Sequence, residues 1–543
     1  MKRRDFLKAS LKAGVATGAA TALISPFESA LAATTPEEKY RTQVPELFTP
    51  VSRPPAFTRA IVIGSGFGGA ISAYRLAKAG IETAVLERGC RWPIDPWRKI
   101  HSTDFFPDGR AFWHRTSAKH LTGLTFSFDK FGGVLDVTEY DNIDIWRGAC
   151  VGGGSKVFTG VMIQPEKTYF QAIFGNTVNY DEMNNIYYPR VRQMLKLSPL
   201  PKDLYYKPSF GHSRVWDKQV KLAGYDPKPI DGIWNWDVVR KECHYRARPS
   251  AIYGESNHGN SNGAKYDLTQ NYLKFAEDTG YTTIYPGMQV RGIGRDANGH
   301  YLVDIKQIDP MGEVIDEYTI ACEYLFMAAG SIGSTELLLR ARELGDLPNL
   351  NEYVGEGWGT NGDTAVVRTV SEFQGLYQAS PSASIISDTR FGMPIIMENW
   401  YALHVPINLT AIGSLGMGFD MTNRCRFQYN AATDSTKLLW PRNGNADVVA
   451  ATRAMNNRIC DASLTLPGLA GIVPDVNDSF TAHPLGGAIL GQAADAYGRL
   501  KGYNKLYVMD GAMVNGNTGA VNPSLTISAL AERNIENILQ NDF

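Results

Sequence analysis

The sequence predicts an α/β fold, and three observations carry that reading. A short β-branched run, Ala60 to Ile63, leads directly into Gly64-Ser65-Gly66-Phe67-Gly68-Gly69 and then into Ile71, Tyr74, Leu76 and Ala77 at helical spacing. A second apolar run, Tyr324 to Ala329, leads into Gly330-Ser331-Ile332-Gly333-Ser334 and a Leu-rich helix through Arg340. Between them, Tyr281 to Tyr318 alternates apolar and polar residues around turns at Asn298-Gly299 and Pro310-Met311-Gly312, the pattern of an inserted β-meander.

The chain has 543 residues, enough for several domains. Lys plus Arg number 54 against 55 Asp plus Glu, a net charge of −1, so no basic field exists to neutralise a nucleic-acid backbone. Hydrophobic residues at 44% and charged residues at 20% permit large packed cores. The six cysteines are scattered and form no C-x-x-C pair, so a cysteine-based metal site is not expected.

Residues 1–32 read as a twin-arginine signal. Lys2-Arg3-Arg4-Asp5-Phe6-Leu7-Lys8 is followed by a weakly apolar Ala- and Gly-rich run and by Ala30-Leu31-Ala32, a small-residue cleavage site. The expectation is an exported protein, secreted or periplasmic, with a cofactor bound tightly enough to be loaded before export.

The first element pair suits a dinucleotide. Gly64 permits a tight turn, Gly66 lets the backbone approach a pyrophosphate, Phe67 and Gly68 open the helix, and Gly69 lets that helix pack on its strand. The next strand, Ile81 to Leu86, ends at Glu87, roughly 20 residues past the first glycine, where a carboxylate reaches a ribose hydroxyl. Further along, Gly152-Gly153-Gly154-Ser155 offers successive backbone N–H groups to a flat ring or a pyrophosphate, or else forms a surface loop. Gly330 and Ser331 open a second strand-turn-helix, and Leu506 to Met509 forms a strand ending in Asp510-Gly511. Asn522 precedes Pro523 and Ser524 at the start of the last helix, the position of a cap.

Taken in order, these loops together with His483-Pro484-Leu485-Gly486-Gly487 and Val521-Asn522-Pro523 resemble the glucose–methanol–choline (GMC) flavoprotein oxidoreductases. Within that family the resemblance is nearest to the bacterial cholesterol oxidases that hold flavin non-covalently. It implies FAD, bound without a covalent link, in a discontinuous Rossmann-like domain made of residues 57–98, 263–353 and 498–543. The remaining segments, 99–262 and 354–497, would form a substrate domain of helices and a mixed β-sheet. The residues implied to hold the cofactor are Gly64, Gly66, Phe67, Gly68, Gly69, Glu87, Gly152, Gly153, Gly154, Ser155, Gly330, Ser331, Asp510, Gly511 and Asn522.

Alcohol oxidation removes a hydroxyl proton and a carbon-bound hydride, so the site needs a proton acceptor beside the flavin. The resemblance places that histidine at His483 and the family's asparagine at Asn522. Glu398 is implied to move a proton between ring carbons, converting a 5-ene to a conjugated 4-ene, unless it is a solvated loop residue. The implied partners are a sterol or other apolar alcohol and dioxygen, with hydrogen peroxide released. Phe105, Phe106, Phe112, Trp113, Phe126, Phe128 and Phe131 within residues 101–131 read as a mobile apolar lid able to touch a membrane surface, or as core.

Phe158-Thr159-Gly160-Val161 stands where the cholesterol oxidases usually carry Asn-Gly-Gly-Met, and Ala488 stands where a cysteine is frequent. These departures keep two alternatives open: a dehydrogenase of another bulky alcohol using an acceptor other than oxygen, and a non-catalytic exported flavin- and lipid-binding protein. The export signal itself is testable. Replacing Arg3 and Arg4 with lysine is expected to leave a folded, flavin-loaded precursor in the cytoplasm, measured by fractionation; unchanged export would remove the twin-arginine reading.

Overall fold

A computed structural model describes residues 35–543, except 105, 120–124, 371, 374, 402–410, 469–475 and 478–479. The expected export signal, residues 1–32, lies outside the described residues, as does Phe105.

The first sheet is built from β1 (Phe57–Ile63), β2 (Thr83–Glu87), β3 (Thr282–Pro286), β4 (Met288–Arg295), β5 (Tyr301–Ile308) and β6 (Val314–Met327). Their order is β3-β2-β1-β6-β5-β4, with the short strand Leu506–Val508 also on β6. Pairing among β3, β2, β1 and β6 is parallel, whereas β4, β5 and the first part of β6 are antiparallel. The meander is therefore continuous with the parallel sheet. Val314 to Cys322 pairs with β5, and Leu325 to Met327 pairs in parallel with Leu506–Val508 along the same edge. The sequence shows two strands here because the period changes. Outer residues alternate in burial, while Tyr324 to Met327 is buried on both faces and reads as a continuous apolar run.

Helix α1 (Phe67–Lys78) follows β1 and packs tightly on it. A Cβ at Gly69 would lie 2.0 Å from the Gly64 carbonyl oxygen, so only glycine allows this approach. Helix α2 (Gly330–Leu344) follows β6 in the same way. The C-terminal helix, Ser524–Asn541, lies beside α1, and its Glu532, fully buried, accepts Arg75 at 2.8 Å and the Tyr272 hydroxyl at 2.7 Å. Several donors are what a buried carboxylate requires to offset its desolvation.

The second sheet is antiparallel: β7 (Asp363–Thr369), β8 (Ser384–Asp388), β9 (Ile395–Trp400) and β10 (Ala411–Gly418) in the order β7-β10-β9-β8, extended by Val476–Asn477 and Lys228–Pro229. The mixed pairing that the resemblance implied for segments 99–262 and 354–497 occurs in a small sheet of Leu135–Tyr140, Ile143–Gly148 and Phe480–Thr481. Helix α3 (Ala446–Ser463) covers one face of the second sheet, packing Val448, Met455 and Ile459 on Val366, Met397 and Ile412. Side chains alternate across a strand, so the opposite face carries Asp363, Glu398, Trp400 and Leu415.

The described aromatic residues of segment 101–131 include buried core members. Phe112 and Phe131 are buried in a core with Tyr40, Trp92 and Ile100, and Phe131 stacks on Tyr40 at 4.1 Å. Among the described phenylalanines of the segment, Phe106 alone is widely exposed, at 60%. A local core that recruits Tyr40 and Trp92 from outside the segment gains more burial than a detached flap.

Candidate active site

A cavity of about 680 Å³ separates the C-terminal ends of the parallel strands from the open face of the second sheet. One end is lined by Gly64, Gly66, Phe67, Gly68, Glu87, Gly153, Gly154, Gly330 and Ser331, the other by Trp400, Leu415, Phe480, His483 and Asn522. Asp510 and Gly511 border the junction between them. Ligands of open α/β sheets bind at this edge of the strands.

The glycine end is a cradle. A Cβ at Gly66, Gly154 or Gly330 would meet no protein atom within 4 Å although each borders the cavity, so these backbones are exposed to whatever fills it. Gly66 also caps α1 with no side-chain bond, leaving first-turn N–H groups directed at the space. Three expected contacts do not line the cavity. Gly69 and Gly152 support the walls, and the Ser155 hydroxyl donates to the Gly152 carbonyl at 2.6 Å.

Sequence reasoning missed Ser65. Its hydroxyl donates to the Glu87 carboxylate at 2.7 Å and accepts the Gly152 N–H at 3.0 Å, tying both glycine loops and the end of β2 into one unit. Glu87 also accepts the Gly89 N–H at 3.0 Å, and burial pushes its carboxyl above the usual range against these donors. Asp510 accepts the Gly330 N–H at 2.8 Å and the Ser334 hydroxyl at 2.5 Å, with its carboxyl pushed up to about 6 by burial.

At the other end, His483 enters from a loop pinned by Gly359 and Leu485, which exchange backbone bonds of 2.9 and 3.2 Å. Its Nδ1 lies 2.7 Å from Asp363, the first residue of β7. Asp363 is fully buried and accepts the Thr481 hydroxyl at 2.8 Å and the Ala482 N–H at 3.1 Å through its other oxygen. The carboxylate thus fixes the ring and leaves Nε2 for the cavity. Burial works against a charged His483, yet the Asp363 carboxylate outweighs it and raises the imidazole's pKa. Asp363 was not foreseen, because nothing in Asn361-Gly362-Asp363-Thr364 marks it before the fold brings position 483 beside it.

Glu398 is not a solvated loop residue. It sits in β9, fully buried, between Ile385 and Leu415 of the neighbouring strands. Neither carboxyl oxygen has a hydrogen-bond partner among the described residues. Burial pushes it up to about 8, opposed by nearby His483 and by the Asn522 amide. Asn522 is not a helix cap: Pro523 holds that position without a side-chain bond, and Asn522 Oδ1 is buried with no hydrogen-bond partner among the described residues. The structure therefore gathers His483, Asn522 and Glu398 around one end of the cavity, with Glu398 just behind its lining.

Residues 430–531 match the GMC oxidoreductase family model. In that stretch the chain is similar to the GMC oxidoreductases. The chain is 25% identical to a cholesterol oxidase of Mycobacterium tuberculosis, across 87% of this chain and 89% of that protein. It is 24% identical to a cholesterol oxidase of Acinetobacter baumannii, across 87% and 93%. Among solved structures it shares its fold with a pyridoxine 4-oxidase of Mesorbium loti at TM-score 0.57 and 17% identity, covering 89% of this chain and 99% of that one. It also matches a fungal aryl-alcohol oxidase at TM-score 0.59 and 12% identity, covering 89% and 99%. The cradle fits the FAD that the resemblance implies: glycine backbones open to the cavity, a helix N-terminus for the pyrophosphate and Glu87 at the strand end.

Two substitutions test this geometry. Gly66→Val is expected to yield folded but colourless protein, because the added side chain fills the cradle; a fully flavin-loaded variant would contradict it. Asp363→Asn removes the charge that holds up the His483 pKa, so the imidazole's proton is expected to dissociate at lower pH. Titration by NMR of a His483-resolved signal would show an unmoved pKa if Asp363 were only structural.

Proposed function

We propose that this protein oxidises the 3β-hydroxyl of a cholesterol-like steroid to the ketone, with dioxygen as electron acceptor and hydrogen peroxide as second product. The single observation that carries the alcohol chemistry is His483, held on Asp363 through Nδ1 and lining the cavity together with Asn522. FAD, when bound, supplies the two-electron acceptor.

His483 takes the hydroxyl proton through Nε2, and Asp363 stabilises the imidazolium so formed. Asn522 orients the oxygen by donating from its amide Nδ2, because the hydroxyl's single proton goes to His483. Trp400, Leu415 and Phe480 give the same end of the cavity an apolar wall, suited to a hydrocarbon body and poor for a sugar. The relatives named cholesterol oxidase support the steroid reading. Glu398 supports the accompanying isomerisation. A buried, unpartnered carboxyl beside the reacting end can take a proton from one ring carbon and return it to another, moving the double bond into conjugation with the new ketone.

Phe158 favours a second reading, oxidation of another bulky alcohol. Its ring lines the cavity and meets Phe67 edge-on at 5.6 Å, narrowing the space where the two halves meet.

A panel of sterols and simple alcohols scored by anaerobic flavin bleaching and air reoxidation decides between these readings and between oxygen and another acceptor. His483→Asn is expected to slow oxidation by on the order of 10²–10⁴-fold with the flavin retained. Glu398→Gln is expected to consume oxygen with cholesterol yet release the unconjugated 5-en-3-one. In the wild type a carboxyl held up at about 8 is neutral below that pH and becomes a proton acceptor above it, so the conjugated share of product should climb with pH through about 8. Chromatography with ultraviolet detection measures it; conjugated product from Glu398→Gln at the wild-type rate would remove Glu398 from the mechanism.

A further inference from the structure

The cavity lining holds a further polar side chain besides those of His483 and Asn522. Asn257 lines it at 6% exposure, and its side chain is the outer end of a buried hydrogen-bonded chain. The Asn257 Nδ2 donates to the Tyr401 hydroxyl at 2.6 Å, and that hydroxyl donates to Asp104 Oδ2 at 2.6 Å. The other Asp104 oxygen meets His258 Nδ1 at 2.8 Å. Tyr401, Asp104 and His258 are all 3% exposed or less.

The direction of this chain is fixed by chemistry. A carboxylate only accepts, so the single Tyr401 proton points to Asp104. Tyr401 can then only accept from Asn257, which turns the Asn257 amide so that Nδ2 faces the tyrosine and Oδ1 faces away from it. That oxygen takes no hydrogen bond among the described residues, although the side chain is more than nine-tenths buried and borders the cavity. Three buried residues thus hold one acceptor at the cavity wall, at a cost in desolvation that an apolar wall would avoid.

We propose that Asn257 is a second polar anchor for the substrate, its amide oxygen accepting a hydrogen bond from a hydroxyl that an apolar body separates from the reacting carbinol. Trp400, Leu415 and Phe480 share the cavity with Asn257 and supply apolar surface that such a body would contact. Tyr401 follows Trp400 in the chain, so one short segment sets both the apolar wall and the anchor's orientation. The preferred alcohol is a diol rather than a simple alcohol. This rests on the alcohol-oxidising reading, and not on the steroid being the natural substrate.

The test compares pairs that differ by one distal hydroxyl, using flavin-loaded enzyme. One pair is androst-5-ene-3β,17β-diol and androst-5-en-3β-ol; the other is the α,ω-alkanediols of six to twelve carbons and the matching 1-alkanols, whose flexible chains adapt to the distance. The wild type is expected to favour the diol in at least one pair by on the order of tenfold to a hundredfold in kcat/KM, beyond the advantage of two equivalent ends in the alkanediols. Asn257→Leu should collapse that ratio, and Tyr401→Phe, which keeps the ring and removes only the orienting hydroxyl, should reduce it. A diol preference confined to the alkanediols would reject the steroid reading and keep Asn257 as anchor. Equal rates for both members of both pairs, or a preference that survives in Asn257→Leu and Tyr401→Phe alike, would overturn the proposal. So would a folded Asn257→Leu protein that has lost its flavin, since the amide would then belong to the cofactor.

Discussion

The hydrogen bond between Asp363 and His483 joins the two halves of the molecule at the point where chemistry is possible. Asp363 is fixed in the antiparallel sheet, whereas His483 belongs to a loop running against Gly511 beside the parallel sheet. A loop histidine would sample several rotamers; a 2.7 Å bond to a fully buried carboxylate selects one of them and one tautomer. The same carboxylate accepts from Thr481 and Ala482, so it orders the approach of the chain to His483 as well as the ring. Position, tautomer and basicity therefore have one source.

Glu398 shows the opposite solution on the same sheet face. Asp363 has three partners, the Thr481 hydroxyl, the Ala482 N–H and the His483 imidazole, whereas Glu398 is buried without a hydrogen bond among the described residues and is held up at about 8. Two carboxyl groups near one histidine, with environments driven apart in this way, can take different proton-transfer roles at one pH. The separation comes from the strand pleat, which brings Asp363 and Glu398 to the same face while the alternate residues pack on a helix.

The cofactor cradle depends on close backbone approach rather than on side-chain chemistry. Gly66 stands open to the cavity, and a Cβ at neighbouring Gly153 would come within 2.8 Å of the Gly66 Cα. Ser65 and Glu87 hold those two loops together from behind. The arrangement places a helix N-terminus and several backbone N–H groups on one surface, a fixed electrostatic environment for an anionic group.

The strand-turn-helix units around Gly64 and Gly330 were legible in the sequence because they are local: the period of apolar residues and the glycine spacing specify them within about 20 residues. His483 and Asn522 were legible through the motifs that contain them. The continuity of the meander with the parallel sheet was not, since one long strand changes partners midway and its burial pattern changes with them. The aromatic segment 101–131 could be read as lid or core, because composition does not reveal that Tyr40 and Trp92 arrive from elsewhere to bury it. Asp363, Ser65 and Asn257 carry no sequence signature; each gains its role from a residue far away along the chain. The sequence by itself determined the local units and the kind of cofactor they accept, because backbone geometry and helix termini are properties of short segments. The tertiary structure decided which carboxylate holds the histidine, which remains unpartnered, and which amide faces the cavity, because pairing and burial depend on groups that only folding brings together.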